Sequence, residues 1–349
     1  MSFRKELSFG LDIGDRSLKA LQFVKSRNII SIAGFAEVAL PPNVIENGDL
    51  KNAAQLSAAL HTLVRKAGIV AERAVLALPE RKTFLKLITF APNAKLPLRL
   101  QLEQELARHL PYEIQEVFWD SYIVNNVNGV LTVLAGAAPK NIVKDYTNCI
   151  QNANLIPVLL DVEPLSIARA AISNTAPESC TLVVDLGGTK STLIIANANT
   201  VFYTTDARAS GEDLTEDITQ KLKIEKKAAE ELKIKYGINP TKKAPAEYSK
   251  LVERYAKDLS DRIQQFINFS LSRESLCRGI SLILLSGGGA LLDGLSTYLG
   301  NALKIPVRLA SPWAHINEFA VKAIDAQTGL RFTTATGLAL KAMEFDHTI

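Results

Sequence analysis

Phe9-Gly10-Leu11-Asp12-Ile13-Gly14-Asp15-Arg16-Ser17-Leu18-Lys19-Ala20-Leu21 opens the chain, and Leu182-Val183-Val184-Asp185-Leu186-Gly187-Gly188-Thr189-Lys190-Ser191-Thr192-Leu193-Ile194-Ile195 repeats its design in mid-chain. In both, an aspartate ends an apolar strand, a turn of small residues follows, and a second apolar strand leaves it. Such a turn offers backbone N–H groups to an anion, and a carboxylate beside it suits a hydrated cation. Asp12 and Asp185 are therefore the expected metal-facing residues, and a metal–nucleotide is the expected ligand. The repetition predicts two related halves turned toward one site.

Each position has a plainer alternative. Asp12 could be an ordinary turn residue, but it lies between Leu11 and Ile13, where a charge without a task is disfavoured. Gly14, Asp15, Arg16 and Ser17 would act through their N–H groups. Lys19 would be a point charge for the outer phosphates, or else a solvated strand lysine. Gly187, Gly188 and Thr189 would let the backbone approach phosphate closely. Gly188-Thr189-Lys190-Ser191 is not a Walker loop, because no glycine immediately precedes the lysine. Ser286-Gly287-Gly288-Gly289-Ala290 sits between a strand and a helix. There Gly287, Gly288 and Gly289 either allow close packing or make room for an adenosine.

Other function classes are disfavoured. A length of 349 residues implies two or more domains, and 47% hydrophobic residues readily fill their cores. A net charge of +4 is too small for a polyanion binder unless it is clustered. The one cluster, 221–243, holds eight lysines against three glutamates without interleaved aromatics. It reads as a solvated face, with acidic-lipid or partner contact as the lesser alternative, and nucleic acid is not expected. Cys149, Cys180 and Cys277 include no CxxC pair, so reduced, buried thiols are expected, with neither zinc nor disulfide. His61, His109, His315 and His347 show no metal spacing. The N-terminal apolar run is broken at Asp12, unlike a secretory signal. The stretch 280–292 falls short of the ~20 residues that cross a bilayer. A soluble, cytoplasmic protein is expected, reaching the membrane only through a partner.

Periodicity predicts strands over 7–13, 18–24 and 29–38, a helix over 51–67, and strands over 74–78 and 83–90. Next, 97–110 reads as a helix, 118–124 and 130–137 as strands, 140–152 as a helix and 155–160 as a strand. Counted from 83, this is a β-α-β-β-α-β module inserted into the first half. A helix starts at Pro164, and Ser210-Gly211-Glu212-Asp213 starts another. A long amphipathic helix covers 246–273, a strand 280–285, a helix 292–303, a strand 305–309 and a closing helix 332–343.

Five segments, in this order, resemble the actin-like ATPase superfamily, which includes actin, Hsp70 and the bacterial cell-division protein FtsA. The first is Asp12 to Lys19, with its lysine seven residues after the aspartate. Val162-Glu163-Pro164 resembles a first connecting helix, and Asp185-Leu186-Gly187-Gly188-Thr189 a second phosphate motif. Ser286 to Ala290 is similar to the adenosine motif, and Thr334-Ala335-Thr336-Gly337-Leu338-Ala339 to the second connecting helix. The runs Gly211-Glu212-Asp213-Leu214-Thr215-Glu216-Asp217-Ile218 and Ala229-Glu230-Glu231-Leu232-Lys233-Ile234-Lys235-Tyr236-Gly237 resemble FtsA and the PilM family of pilus-assembly proteins. The short acidic tail 344–348, lacking the amphipathic membrane helix of FtsA, favours PilM.

The resemblance implies a two-lobed α/β fold of duplicated ribonuclease H-like halves with an FtsA-type inserted α+β subdomain. The expected division is a first lobe of 1–90, 155–180 and 313–349, and an insert of 91–154. The second lobe would comprise 181–220 and 258–312, with a small lysine-rich helical subdomain over 221–257. It implies ATP with Mg²⁺ on Asp12 and Asp185, with Gly211 among the nucleotide-binding residues and Glu230 and Lys233, which share a helix face, at the ribose or adenine, or else a solvent-exposed ion pair. Glu163 would orient an attacking water, or else be an acid stabilised at a helix N-terminus; weak ATPase activity is compatible with the first role. It further implies a scaffold at the inner face of the inner membrane, bound to the short cytoplasmic N-terminal peptide of a PilN-like bitopic membrane protein. Other pilus motor proteins are candidate partners. The peptide groove would lie between the insert and the adjoining lobe. An FtsA-like filament protein and a small-molecule kinase of the same superfamily are the alternatives.

Overall fold

The computed structural model describes residues 7–26, 29–93, 95–172, 179–207, 209–272, 277, 279–315 and 325–348. Two five-stranded sheets carry the molecule. The first orders β10 (Ile156–Val162), β6 (Arg73–Leu78), β1 (Ser8–Ile13), β2 (Ser17–Ser26) and β3 (Ile29–Ala39) side by side. The second orders β15 (Val307–Leu309), β14 (Ile280–Ser286), β11 (Cys180–Leu186), β12 (Ser191–Ala196) and β13 (Val201–Asp206) in the same sense. Each is an antiparallel meander extended by two parallel strands. The repeated glycine turn thus marks a duplicated half, and the two-lobed actin-like fold is observed.

Central strands of both sheets are almost wholly apolar because helices cover them. On the first sheet, α1 (Ala53–Ala67) and α3 (Lys140–Asn152) bury Leu56, Leu60, Leu63, Tyr146 and Ile150 against Phe9, Leu11 and Leu76. Asn52 caps α1 by accepting from the Gln55 N–H at 3.0 Å, and Gly68 ends it in the left-handed conformation. On the second sheet, α7 (Ala246–Leu271) and α8 (Leu295–Leu303) bury Leu259, Ile263, Leu295 and Leu299 against Leu182 and Val184.

The other face of the first sheet is covered by α10 (Thr333–Thr348), which follows the short α9 (Ala326–Arg331) and also crosses α4 (Glu163–Ala171). A Cβ at Gly337 would stand 1.8 Å from the Ser166 carbonyl oxygen, so only glycine permits this crossing. The expected acidic tail is the last turn of α10: the Asp346 carboxylate accepts from the Ser8 N–H and hydroxyl, both at 2.7 Å.

The inserted unit is smaller than the six elements read from the sequence. Strands β7 (Phe84–Phe90), β9 (Val130–Pro139) and β8 (Val117–Val127) form one sheet, with α2 (Leu98–Ala107) laying Leu102 and Leu106 on one face. The apolar stripe of α3 turns instead into the first core, and β10 joins the first sheet. Periodicity announces such a stripe without naming the sheet that buries it. In the second half, α5 (Gly211–Leu222), α6 (Lys226–Tyr236) and the start of α7 share a cluster containing Leu214, Ile218, Ala229 and Tyr248. This cluster begins before the expected 221–257 segment. A two-residue hairpin, β4 (Ile45–Glu46) with β5 (Asp49–Leu50), escaped the sequence reading although Asn47-Gly48 is a hairpin signal; both residues have positive φ.

Three reduced thiols were expected, yet Cys180 and Cys277 are joined as a disulfide, leaving Cys149 as the free, buried thiol. Sequence distance hid the pair. Parallel pairing of β11 with β14 brings residues 97 apart in sequence to a Cα separation of 5.8 Å. Among the described residues no helix is long and apolar enough to cross a membrane.

Candidate functional site

The two glycine turns meet across the cleft between the sheets. Each is closed by the same bond: the Gly14 N–H donates to the Ser17 carbonyl at 3.0 Å, and the Gly187 N–H to the Lys190 carbonyl at 2.9 Å. Asp12 and Asp185, with both turns, line one cavity of about 230 Å³. The turns also touch, since the Thr189 hydroxyl donates to the Asp15 carboxylate at 3.1 Å. The other oxygen of Asp15 accepts from the Gly48 N–H at 3.3 Å, which seats the β4–β5 hairpin on the cleft.

The carboxylates differ in their support. Lys19, opposite Asp12 in the hairpin, places its ammonium 3.4 Å from that carboxylate and donates to the Ser17 hydroxyl at 2.9 Å. Burial pushes the Asp12 carboxyl above its ordinary range, against the pull of Lys19. Asp185 is raised to about 6, chiefly by burial; the Ser286 hydroxyl, donating at 2.6 Å, opposes the rise, and the charges of Glu163 and Asp12 add to it. Two carboxylates held above their normal range in one cleft form a site that gains from a cation. Among the described residues no group of three or more His, Cys, Asp or Glu forms a ready cage.

The glycines divide by what a side chain would meet. At Gly287, φ is +78° and a Cβ would stand 2.5 Å from the Leu186 carbonyl oxygen; at Gly289 it would stand 2.8 Å from the Leu186 Cβ. Packing against β11 requires both. At Gly188 a Cβ meets nothing within 4 Å, and at Gly288 only the Arg331 Cγ at 3.9 Å. Both line the cavity, so each leaves a cradle that a Cβ would fill.

A second cavity of about 370 Å³ continues from Gly187, Gly188 and Gly288 to Gly211, Glu230 and Lys233. Helix α5 starts on the second turn, with the Gly211 N–H donating to the Gly187 carbonyl at 3.1 Å and the Glu212 N–H to the Gly188 carbonyl at 2.8 Å. Ser210 and Asp213 close a capping box behind it. The Lys233 ammonium donates to the Gly211 carbonyl at 2.9 Å, the Thr215 hydroxyl at 2.7 Å and the Glu230 carboxylate at 3.0 Å. The expected face of Glu230 and Lys233 therefore exists, tied to the start of α5.

Glu163, the first residue of α4, reaches this cleft and is engaged there. It accepts from the Glu80 N–H at 3.2 Å and pairs with the ammonium of Lys190. Sequence reasoning gave Lys190 and Glu80 no role. The only signal for Lys190 was its place in a turn whose first copy carries Ser17. The cross-cleft pairs of Arg16 with Glu212, at 2.9 Å, and Arg81 with Asp206 were also missed. Burial lowers the Lys190 ammonium, but Glu163, Glu80 and Asp185 outweigh it and raise it overall.

The family model of the type IV pilus assembly protein PilM matches residues 10–343. The cell division protein FtsA of Enterococcus hirae is 25% identical over 344 residues, covering 87% of this chain and 78% of FtsA. The solved PilM–PilN type IV pilus biogenesis complex shares the fold with a TM-score of 0.82 at 23% identity, covering 96% of this chain and 98% of that one. MreB5 of Spiroplasma citri bound to ADP shares it more loosely, with a TM-score of 0.59 at 12% identity, covering 99% and 98%. With both glycine turns, α4, most of α10 and the inserted sheet inside the matched span, the chain belongs to the PilM family of type IV pilus assembly proteins.

Proposed function

We propose that this protein is a nucleotide-binding scaffold for type IV pilus assembly, acting in the cytoplasm at the inner face of the inner membrane. The observation that carries the reading is the meeting of both turns, with Asp12 and Asp185, at one cavity. ATP with Mg²⁺ fits the residues present. The Gly14 and Gly187 N–H groups close their own turns, so residues 15–17 and 188–189 would hold the phosphates by backbone N–H groups, and Lys19 would meet them as a point charge. Asp12 and Asp185 would hold the hydrated ion. Gly288 would lie against the adenosine, with Glu230 and Lys233 beside its ribose or base. When bound, the magnesium ion would supply the positive charge that offsets two buried carboxylates. The residues of both lobes then favour one relative arrangement, because a ligand contacted from both sides shifts the population toward closure.

The partner in this reading is the cytoplasmic N-terminal peptide of a PilN-like membrane protein, as the PilM–PilN complex suggests. The inserted unit offers a suitable surface: edge strand β8 exposes Phe118, Tyr122, Ile123 and Val127, and α2 exposes Leu98 and Leu100. An extended peptide can pair with such an edge and seat apolar anchors beside it. Fluorescence anisotropy of that labelled peptide, with and without ATP and Mg²⁺, tests the proposal. Saturable binding that tightens with nucleotide is expected, and failure of both ligands to bind would refute it. The FtsA relatives support a filament-forming alternative, for which ATP-dependent pelleting is the check.

A further inference from the structure

The pairing of Lys190 with Glu163 joins the lobes at the point where hydrolysis would need a free base. Lys190 leaves the second turn at the place Ser17 occupies in the first, as the matching turn bonds establish. Where one half presents a hydroxyl, the other presents an ammonium. That ammonium is one-fifth exposed and Glu163 less so, with side-chain values of 20% and 15%. Glu163 is held from a second side by the Glu80 N–H at 3.2 Å. Its Oε2 thus serves an ammonium and an amide at once.

We infer that Lys190 is a positioning residue that holds Glu163 in an unreactive state, so that the cleft clasps ATP across its lobes rather than hydrolysing it. This deepens the proposed nucleotide-binding role and rests on it. Hydrolysis forms a bond from a water oxygen to the γ-phosphorus, breaks the bridging bond to ADP and passes one water proton to a base. Glu163, at the start of α4 on the cavity wall, is the carboxylate placed for that proton. Its Oε2 already accepts from an ammonium and an amide, so a water at that oxygen would have to displace one of them. The same pair ties the second turn to the first lobe, so the residue that withholds the base also favours the closed arrangement.

The test measures binding of a fluorescent ATP analogue and phosphate release at saturating ATP and Mg²⁺, for the full chain and its Lys190→Met variant. The variant is expected to release phosphate about tenfold faster or more, within the range a freed general base supplies. Adding Glu163→Gln to it should abolish the gain, and Lys190→Arg should return release toward the slow rate. Should Lys190→Met not fold, Lys190→Gln takes its place. Unchanged or slower release by a variant that still binds the analogue overturns the inference. Loss of binding does so too, since Lys190 would then be a phosphate ligand. Failure of the unaltered chain to bind the analogue instead sinks the nucleotide-cleft reading beneath it.

Discussion

Asp12 stands opposite Lys19 across the first hairpin, its carboxylate 3.4 Å from the ammonium, whereas Asp185 in the duplicated hairpin faces Thr192 and accepts from Ser286 instead. The halves share a backbone but not a charge balance. The first carries its own cation. The second carries a carboxylate supported by the Ser286 hydroxyl, with its lysine turned across the cleft to Glu163.

That asymmetry predicts a pH dependence. Burial raises the Asp185 carboxyl from an ordinary 3.8 to about 6, so the fold prefers it protonated. The stability it contributes is fully present below about pH 4 and is lost as pH rises through about 6. Asp185→Asn should therefore stabilise the nucleotide-free protein at pH 7.5 by about 1–3 kcal/mol, with the gain shrinking toward pH 4. Urea denaturation across that range reads it directly. The same variant should lose affinity for magnesium nucleotide, and a variant less stable at neutral pH would contradict the burial argument.

The three glycines after β14 should separate into structural and ligand-facing residues. Gly287→Ala combines a left-handed φ with a Cβ placed 2.5 Å from a carbonyl oxygen. It should cost about 3 kcal/mol or more and be evident by thermal denaturation. Gly288→Ala meets only the Arg331 Cγ, at an ordinary contact distance of 3.9 Å, and should stay within about 1 kcal/mol of the parent in stability. Its loss should lie in nucleotide affinity, measured by titration with ATP and Mg²⁺.

What could be foreseen follows from how local the cause was. Asp12, Gly14, Asp185 and Gly187 were legible because a strand, a turn and a strand fit within a dozen or so residues. The duplication was legible because the device occurs twice. The Lys190–Glu163 and Arg16–Glu212 pairs were not, because they depend on how one half faces the other, which no periodicity encodes. The assignment of α3 failed for the same reason. Its stripe was visible, but its burial against Phe9 and Leu76 is a fact of tertiary packing.

Glu230 and Lys233 should prove unequal. Lys233 holds the Gly211 carbonyl and the Thr215 hydroxyl, so it supports the start of α5 whatever the cleft contains. Lys233→Met should lose about 1–2 kcal/mol of stability in urea unfolding, through lost hydrogen bonding. Glu230 is more exposed and lines the second cavity. Glu230→Gln should fold normally yet bind ADP roughly three- to tenfold more weakly, the loss of about one hydrogen bond. Pyrophosphate, which lacks the nucleoside, should bind the parent and Glu230→Gln equally. Equal losses for ADP and pyrophosphate would remove Glu230 from the nucleoside pocket.

The crossing of α4 and α10 is the most sensitive packing contact outside the site. The Gly337 carbonyl accepts from Arg169 Nη1 at 3.0 Å, and the same Nη1 lies 2.8 Å from Asp161. The Ser166 hydroxyl also donates to Asp161, at 2.9 Å, so the helices are bonded at the point where they are closest. A Cβ on Gly337 would overlap the Ser166 carbonyl and must force the helices apart, breaking that network. Gly337→Ala should lose about 3 kcal/mol or more in urea denaturation, despite the better helix propensity of alanine. Gly300→Ala in α8 is the control: its Cβ would come no closer than 3.8 Å to any neighbour, and propensity alone should leave it neutral or up to about 1 kcal/mol more stable. Comparable behaviour of the two would mean that α4 and α10 can slide apart at little cost, and the crossing could then not hold the lobes in register.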